Sequence, residues 1–255
     1  MALEMQVVPC LRDNYAYLLH EPQTGRTAVV DVPDTAPLHE ALEKTGWRLS
    51  DILITHHHED HIGGVMRLRE DTGAAIWGAR ADSHRLPPLD HALAEGDGVA
   101  LGGESGVVLD VSGHTLGHIA YHFPQSGLAF TADSLMVCGC GRLFEGSAAQ
   151  MWDSLCKLMA LPDETLICSG HDYSLGNTAF AKSVEPENPA LDARIAQMAQ
   201  DRVAGRPMAV ATLALEKATN PFLRAALPAM KAAHGMEDAS NAEIFAHLRA
   251  LKDRF

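Results

Sequence analysis

The chain has 255 residues, 47% hydrophobic and 21% charged, which suits one large domain or a domain with a small appendage and excludes a disordered chain. Its net charge of −13 argues against nucleic acid or an anionic membrane surface as the main partner, since both need a broad positive field. No run approaches the ~18 apolar residues of a membrane span. Residues 1–9 carry Glu4 and lack an export-signal pattern, so a cytoplasmic protein is expected. Cys10, Cys138, Cys140, Cys156 and Cys168 form no C-x-x-C pair and read as reduced thiols.

In chain order, short apolar runs bounded by Gly, Pro, Asp and His predict strands at 15–19, 27–30, 52–54, 107–111, 128–131 and 166–168. Helices are predicted between them at 38–44 and 62–69. Residues 1–173 are therefore expected to form layered α/β structure. After Tyr173 helix formers take over. Asn188-Pro189 supplies an N-cap followed by proline, Gly205 is a stop, and Ser240 with Glu243 is a capping box opening the last helix. Residues 174–255 are expected to be a small helical domain.

Fourteen histidines stand against 20 lysines and arginines, an excess that needs a cause. The densest cluster is Thr55-His56-His57-His58-Glu59-Asp60-His61, followed by Ile62-Gly63-Gly64, directly after the apolar strand at 52–54. Imidazole and carboxylate are ligands for zinc, iron and manganese. The pattern then recurs. Strand 107–111 leads into Ser112-Gly113-His114, strand 128–131 into Ala132-Asp133, and strand 166–168 into Ser169-Gly170-His171. Four such edges meeting at one end of a sheet would offer seven ligands: His56, His58, Asp60, His61, His114, Asp133 and His171. Seven exceeds one tetrahedral zinc but suits two divalent metal ions sharing a carboxylate. His57 would face the opposite way in an extended segment and is left out. His118 reads equally as a support for the ligands or as a structural residue. His20, His39, His84, His91, His122, His234 and His247 read as hydrogen-bonded core histidines.

The T-H-x-H-x-D-H run at 55–61, with His114, Asp133 and His171 following in order, resembles the signature of the metallo-β-lactamase superfamily. That resemblance implies an α/β fold, the αββα sandwich. It also implies one metal held by His56, His58 and His114, a second by Asp60, His61 and His171, and Asp133 bridging them. Further stretches resemble the glyoxalase II (hydroxyacylglutathione hydrolase) family. They are Cys138-Gly139-Cys140-Gly141-Arg142-Leu143-Phe144-Glu145-Gly146, Gly170-His171-Asp172-Tyr173, and Asn177-x-x-Phe180-Ala181-x-x-Val184-Glu185-Pro186-x-Asn188. Asn220-Pro221-Phe222-Leu223-Arg224 and the tail Arg249-Ala250-Leu251-Lys252-Asp253-Arg254-Phe255 complete the set. The likeness covers essentially the whole chain, including the C-terminal α-helical domain.

It implies that Arg142, Phe144, Tyr173, Arg249 and Lys252 contact glutathione. Some members have Lys and Tyr where this chain has Arg142 and Phe144. Arginine keeps the charge and adds a fork for carboxylate; Phe144 has no hydroxyl to donate, which leaves it packing alone. The last helix agrees independently. At ~100° per residue, Ile244, Phe245, Leu248, Leu251 and Phe255 form an apolar stripe containing Lys252, with Arg249 at its edge. A cation on a face due for burial wants an anionic partner.

By resemblance, the reaction is hydrolysis of S-D-lactoylglutathione and related 2-hydroxyacylglutathiones to D-lactate and glutathione, the second step of methylglyoxal detoxification. The expected nucleophile is a hydroxide bound by two metals, most readily zinc, with iron or manganese also suited. Asp60 would position it and Asp133 would set the metal spacing. A thiolate leaves readily, so no Ser or Cys nucleophile is required. The expected partner is a small glutathione thioester, with no nucleic acid and no membrane, and a monomeric enzyme is expected. A persulfide dioxygenase of the same fold uses one iron and would not need Asp60, His61 and His171 together. A nuclease would show a basic stripe.

Overall fold

The computed structural model describes residues 2–255. Its elements are β1 (Glu4–Cys10), β2 (Asn14–Glu21), β3 (Arg26–Val30), α1 (Ala36–Thr45), β4 (Asp51–Leu53), α2 (Glu59–Ile62), α3 (Val65–Thr72), β5 (Ala75–Ala79), β6 (His91–Leu93) and β7 (Gly98–Leu101). There follow β8 (Glu104–Asp110), β9 (Ile119–Phe123), β10 (Leu128–Ala132), α4 (Ala148–Met159), β11 (Leu166–Ser169), α5 (Ser174–Val184), α6 (Pro189–Val203), β12 (Val210–Thr212), α7 (Leu213–Thr219), α8 (Pro228–Ala233) and α9 (Asn241–Arg254).

Two six-stranded mixed sheets run β1-β2-β3-β4-β5-β6 and β12-β11-β10-β9-β8-β7. Strand alternation builds the layers. Tyr121, Phe123, Phe130 and Cys168 of the second sheet join Tyr17, Leu19, Val30 and Leu53 of the first in the core between the sheets, where Tyr17 meets the Phe130 ring at 5.3 Å. The intervening residues Ala120, Ala129 and Ile167 face outward onto α4 and α9, through Met151, Leu155, Phe245 and Leu248. The outcome is the helix–sheet–sheet–helix sandwich expected from the sequence.

The chain beyond Tyr173 is mostly helical, but it also returns to the second sheet as edge strand β12, antiparallel to β11. Caps follow local chemistry. Asn188 accepts from Ala190 and Leu191 N–H, and Ser240 and Glu243 close a capping box. The helix predicted at 62–69 is instead broken into α2 and α3 at Gly63-Gly64. There Gly64 N–H donates to Val32 O, and a Cβ on Gly64 would lie 2.7 Å from Val32 Cγ1. On α9 the buried stripe stops at Leu248: Leu251 is half-buried and Phe255 is 64% exposed. The buried cation is Arg249, at 5% exposure, rather than Lys252. Of the seven histidines assigned to the core, only His122 is buried. His84 and His91 are exposed, and His91 stacks on the Trp77 ring from outside.

Candidate metal centre

At one end of the sandwich the strands stop and the ligand-type residues begin. His56, His58, Asp60 and His61 follow β4, His114 follows β8, Asp133 follows β10 and His171 follows β11. The two sheets are tied there by the Asn14–His171 bridge and by Tyr15 N–H donating to Gly170 O at 2.8 Å. The non-glycine residues with left-handed backbone are Leu11, Asp31, Ala132 and Cys138, all on segments bordering this end. Such conformations cost ~1–2 kcal/mol and persist where surrounding structure enforces them.

His56, His58 and His114 form one group whose ligand atoms lie within 4.8 Å of one another, and Asp60, His61 and His171 form a second. His58 Nδ1 is 3.1 Å from His56 Nε2 and 3.0 Å from His114 Nε2. In the other group, His61 and His171 present their Nε2 atoms to each other at 3.2 Å, and Asp60 Oδ2 is 3.3 Å from His171 Nε2. Asp133 stands between the groups. Its Oδ2 is 3.4 Å from both His114 and His171 Nε2, and its Oδ1 is 3.5 Å from His61 Nε2. That Oδ1 is buried and has no hydrogen-bond partner.

The opposite edge of each ring decides where its lone pair points. His61 Nδ1 meets Asp31 Oδ2 at 2.8 Å, His171 Nδ1 meets Asp13 Oδ1 at 2.9 Å and His114 Nδ1 meets the Arg142 carbonyl at 2.8 Å. The Thr55 hydroxyl donates to Asp31 Oδ2, which leaves its oxygen to accept from His56 Nδ1 at 3.0 Å. With protons drawn to Nδ1, four Nε2 lone pairs converge on the centre. Facing lone pairs about 3 Å apart repel unless a cation lies among them. The donor set, the orphaned Asp133 oxygen and these supports fit divalent metal ions.

Electrostatics agree. Burial alone would raise the Asp133 carboxyl, but His61, His171 and His114 hold it far below the usual range. Burial likewise opposes charge on His171, yet Asp133, Asp60 and Asp13 lift it to about 11. Burial and the His114 and His57 rings depress His58 to about 4. A metal ion taken up at His171 would therefore displace a proton, and its binding would weaken as pH falls.

Two glycines admit no side chain. A Cβ at Gly170 would lie 2.4 Å from Asp133 Oδ1 and 2.7 Å from His61 Cε1; at Gly141 it would lie 2.2 Å from Asp133 O. His57 turns away to Asp82 at 3.0 Å. His118 is fully buried and stacks on His56 at 4.6 Å.

The centre opens into a cavity of about 720 Å³ lined by His58, Asp60 and His114 together with Arg142, Tyr173 and Lys252. Lys252 Nζ donates to Gly176 O at 2.6 Å and sits over the Phe180 and Phe255 rings. Tyr173 stacks on His171 at 4.6 Å. Phe144, 61% exposed, stands over the His58 and His114 rings. Arg249 also borders the cavity but donates to Cys140 O at 2.8 Å and pairs with Asp253.

Asp13, Asn14 and Asp31 were not singled out from the sequence. Asp31 could have been, because it follows strand β3 just as Asp133 follows β10. Asp13 precedes β2 and Asn14 opens it, and neither carries a comparable signal.

Fold and centre define the class: this is a protein of the metallo-β-lactamase superfamily. A family model of that description matches residues 11–171, and one described as the hydroxyacylglutathione hydrolase C-terminus matches residues 172–255. The chain is 62% identical to a hydroxyacylglutathione hydrolase of Fuscovulum blasticum over 255 residues, all of both chains. It is 58% identical to that of Jannaschia sp. (strain CCS1), covering 97% of each. The crystal structure of ETHE1 from Myxococcus xanthus superposes with a TM-score of 0.68 at 27% identity, covering 98% of this chain and 90% of that one. The chain belongs to the hydroxyacylglutathione hydrolase family.

Proposed function

We propose that the chain hydrolyses S-D-lactoylglutathione and related 2-hydroxyacylglutathiones to the 2-hydroxy acid and glutathione. Two divalent metal ions, zinc foremost, would be held by His56, His58 and His114, by Asp60, His61 and His171, and by Asp133 between them. One observation carries this reading: residues of a convergent His/Asp centre and a set of cations, Arg142, Arg249 and Lys252, line one cavity. Bound there, the metals supply Lewis acidity and bring the pKa of a water towards neutrality.

The chain's own groups do the rest. Asp60, its side chain 44% exposed and held by Asn14 Nδ2 at 3.1 Å, accepts a hydrogen from the attacking water and aims it. Asp133 balances the charge of both groups. Lys252 keeps two of its three ammonium donors for a glutathione carboxylate, and Arg142 offers its fork at the rim. Tyr173 lies along His171, and Phe144 covers the reacting end as an apolar wall. Arg249, buried beside the cavity, contributes by donating to the Cys140 carbonyl and so holding the wall next to Arg142. The thiolate leaves without a strong acid. Four of the five free cysteines are buried, which suits a reducing cytoplasm.

The direct test follows thioester loss on S-D-lactoylglutathione, with metal content measured on the same sample. Stripping the metal with a chelator should abolish turnover and added zinc should restore it. Full activity in metal-free protein would end the reading.

A pH effect follows from Lys252. Burial, then Arg249 and Arg142, lower its ammonium to about 8. It is cationic below that pH and neutral above. As kcat/KM reports the free enzyme, it should fall as pH rises through about 8. Lys252→Met should lower kcat/KM at neutral pH through KM and remove that alkaline limb; an unchanged limb would dissociate Lys252 from substrate binding.

A further inference from the structure

Asn177 and Asn220, prominent in the motifs of the helical segment, have no part in the chemistry above. They meet the stretch between Asp133 and Arg142. There Met136 and Gly139 exchange both backbone hydrogen bonds at 3.0 Å, with Cys138 between them at φ +52°. Val137 N–H donates to Ser169 Oγ at 3.0 Å, and Asn177 Nδ2 donates to Val137 O at 3.0 Å. Cys138 N–H donates to Glu216 Oε2 at 3.0 Å. Asn220 Nδ2 donates to the carbonyls of Met136 at 3.2 Å and Gly139 at 3.0 Å, and to Glu216 Oε2 at 2.9 Å. Glu216 is fully buried, and Arg194, 4% exposed, pairs with its other oxygen while donating to Thr219 Oγ1.

Three of these clamping side chains, Asn177, Glu216 and Asn220, come from beyond Tyr173. Past the turn, Gly141 N–H donates to Asp133 O at 2.8 Å, and Arg142 O receives His114 Nδ1 at 2.8 Å. The turn has little slack, because a Cβ at Gly139 would lie 2.3 Å from Asn177 Nδ2.

We propose that Asn220 and Glu216 are positioning residues for the metal centre: by clamping the 136–139 turn they set the 140–142 backbone, and through the Arg142 carbonyl the bearing of His114. The inference rests on His114 being a metal ligand, as proposed above. The helical segment thereby shapes the metal centre as well as lining the substrate cavity. The same clamp aims the Arg142 side chain.

The test compares Asn220→Ala, which removes the two amide hydrogens shared among Met136 O, Gly139 O and Glu216 Oε2 and leaves the Arg194–Glu216 pair, with Arg224→Met. The latter cuts the Arg224–Glu185 pair, which also lies outside the catalytic centre and makes no bond to residues 136–142. Zn(II) affinity of the metal-stripped proteins, kcat, KM and the thermal midpoint are measured on each. Asn220→Ala should bind Zn(II) about 10–100-fold more weakly, lower kcat and raise KM, the scale seen when supports of metal ligands are lost. Arg224→Met should lower only the midpoint. Asn220→Ala with wild-type Zn(II) affinity and kcat overturns the proposal, whatever its midpoint. Where Asn220→Ala yields too little folded protein, Glu216→Gln, of equal volume, is judged by the same two outcomes. Zn(II) affinity needs no substrate, so a wild type that binds Zn(II) but leaves the thioester intact defeats the functional reading alone.

Discussion

Asp133→Ala is expected to lose bound metal and thioesterase activity together, with kcat down about a thousandfold, on the scale of removing a main electrostatic stabiliser. Asp133 Oδ2 is equidistant, at 3.4 Å, from a histidine of each group, and Oδ1 faces His61. Removing the carboxylate leaves buried imidazoles aimed at a space without an anion. The fold should survive, because the Asp133 backbone carbonyl still accepts from Gly141 and the β10–β11 pairing is unaffected. Metal analysis and kinetics on a variant of native circular dichroism decide it. Retention of both metal and activity would refute the bridging role.

Gly170→Ala should be nearly as damaging, although it adds one methyl and removes no functional group. Its Cβ would stand 2.4 Å from Asp133 Oδ1 and 2.7 Å from the His61 ring. Neither neighbour can yield freely. His61 is fully buried and bonded to Asp31, while Asp133 is 5% exposed. A displacement approaching 1 Å at reacting groups costs on the order of a hundredfold in rate, and weaker metal binding should accompany it. Near wild-type kcat with full metal content would show that the centre tolerates more movement than its contacts indicate. Gly205→Ala provides the contrast. Its φ of +67° brings local strain, but no atom lies within 4 Å of the added methyl, so stability should drop slightly at unchanged kinetics.

The ligand-type residues were legible because their signal is local. Each follows an apolar strand, and several sit beside glycines that allow a close turn. Strand periodicity was legible for the same reason, and so were the caps at Asn188 and Ser240. The break at Gly63-Gly64 was missed because its cause is Val32, some thirty residues away in sequence. Arg249 and Lys252 exchanged expected burial because α9 is rotated by its contact with α4 and by the Cys140 carbonyl, neither of which a helical wheel contains.

By itself, then, the sequence determined which groups could serve as ligands, the layered α/β class and the family kinship. Chain order and short-range stereochemistry are enough for that. Only the tertiary structure decided which nitrogen of each histidine faces inward, since the deciding partners Asp13, Asp31 and the Arg142 carbonyl lie 158, 30 and 28 positions from the rings they orient. Hydrogen bonds across such separations depend on how the two sheets and the helical segment come together, which no local pattern encodes.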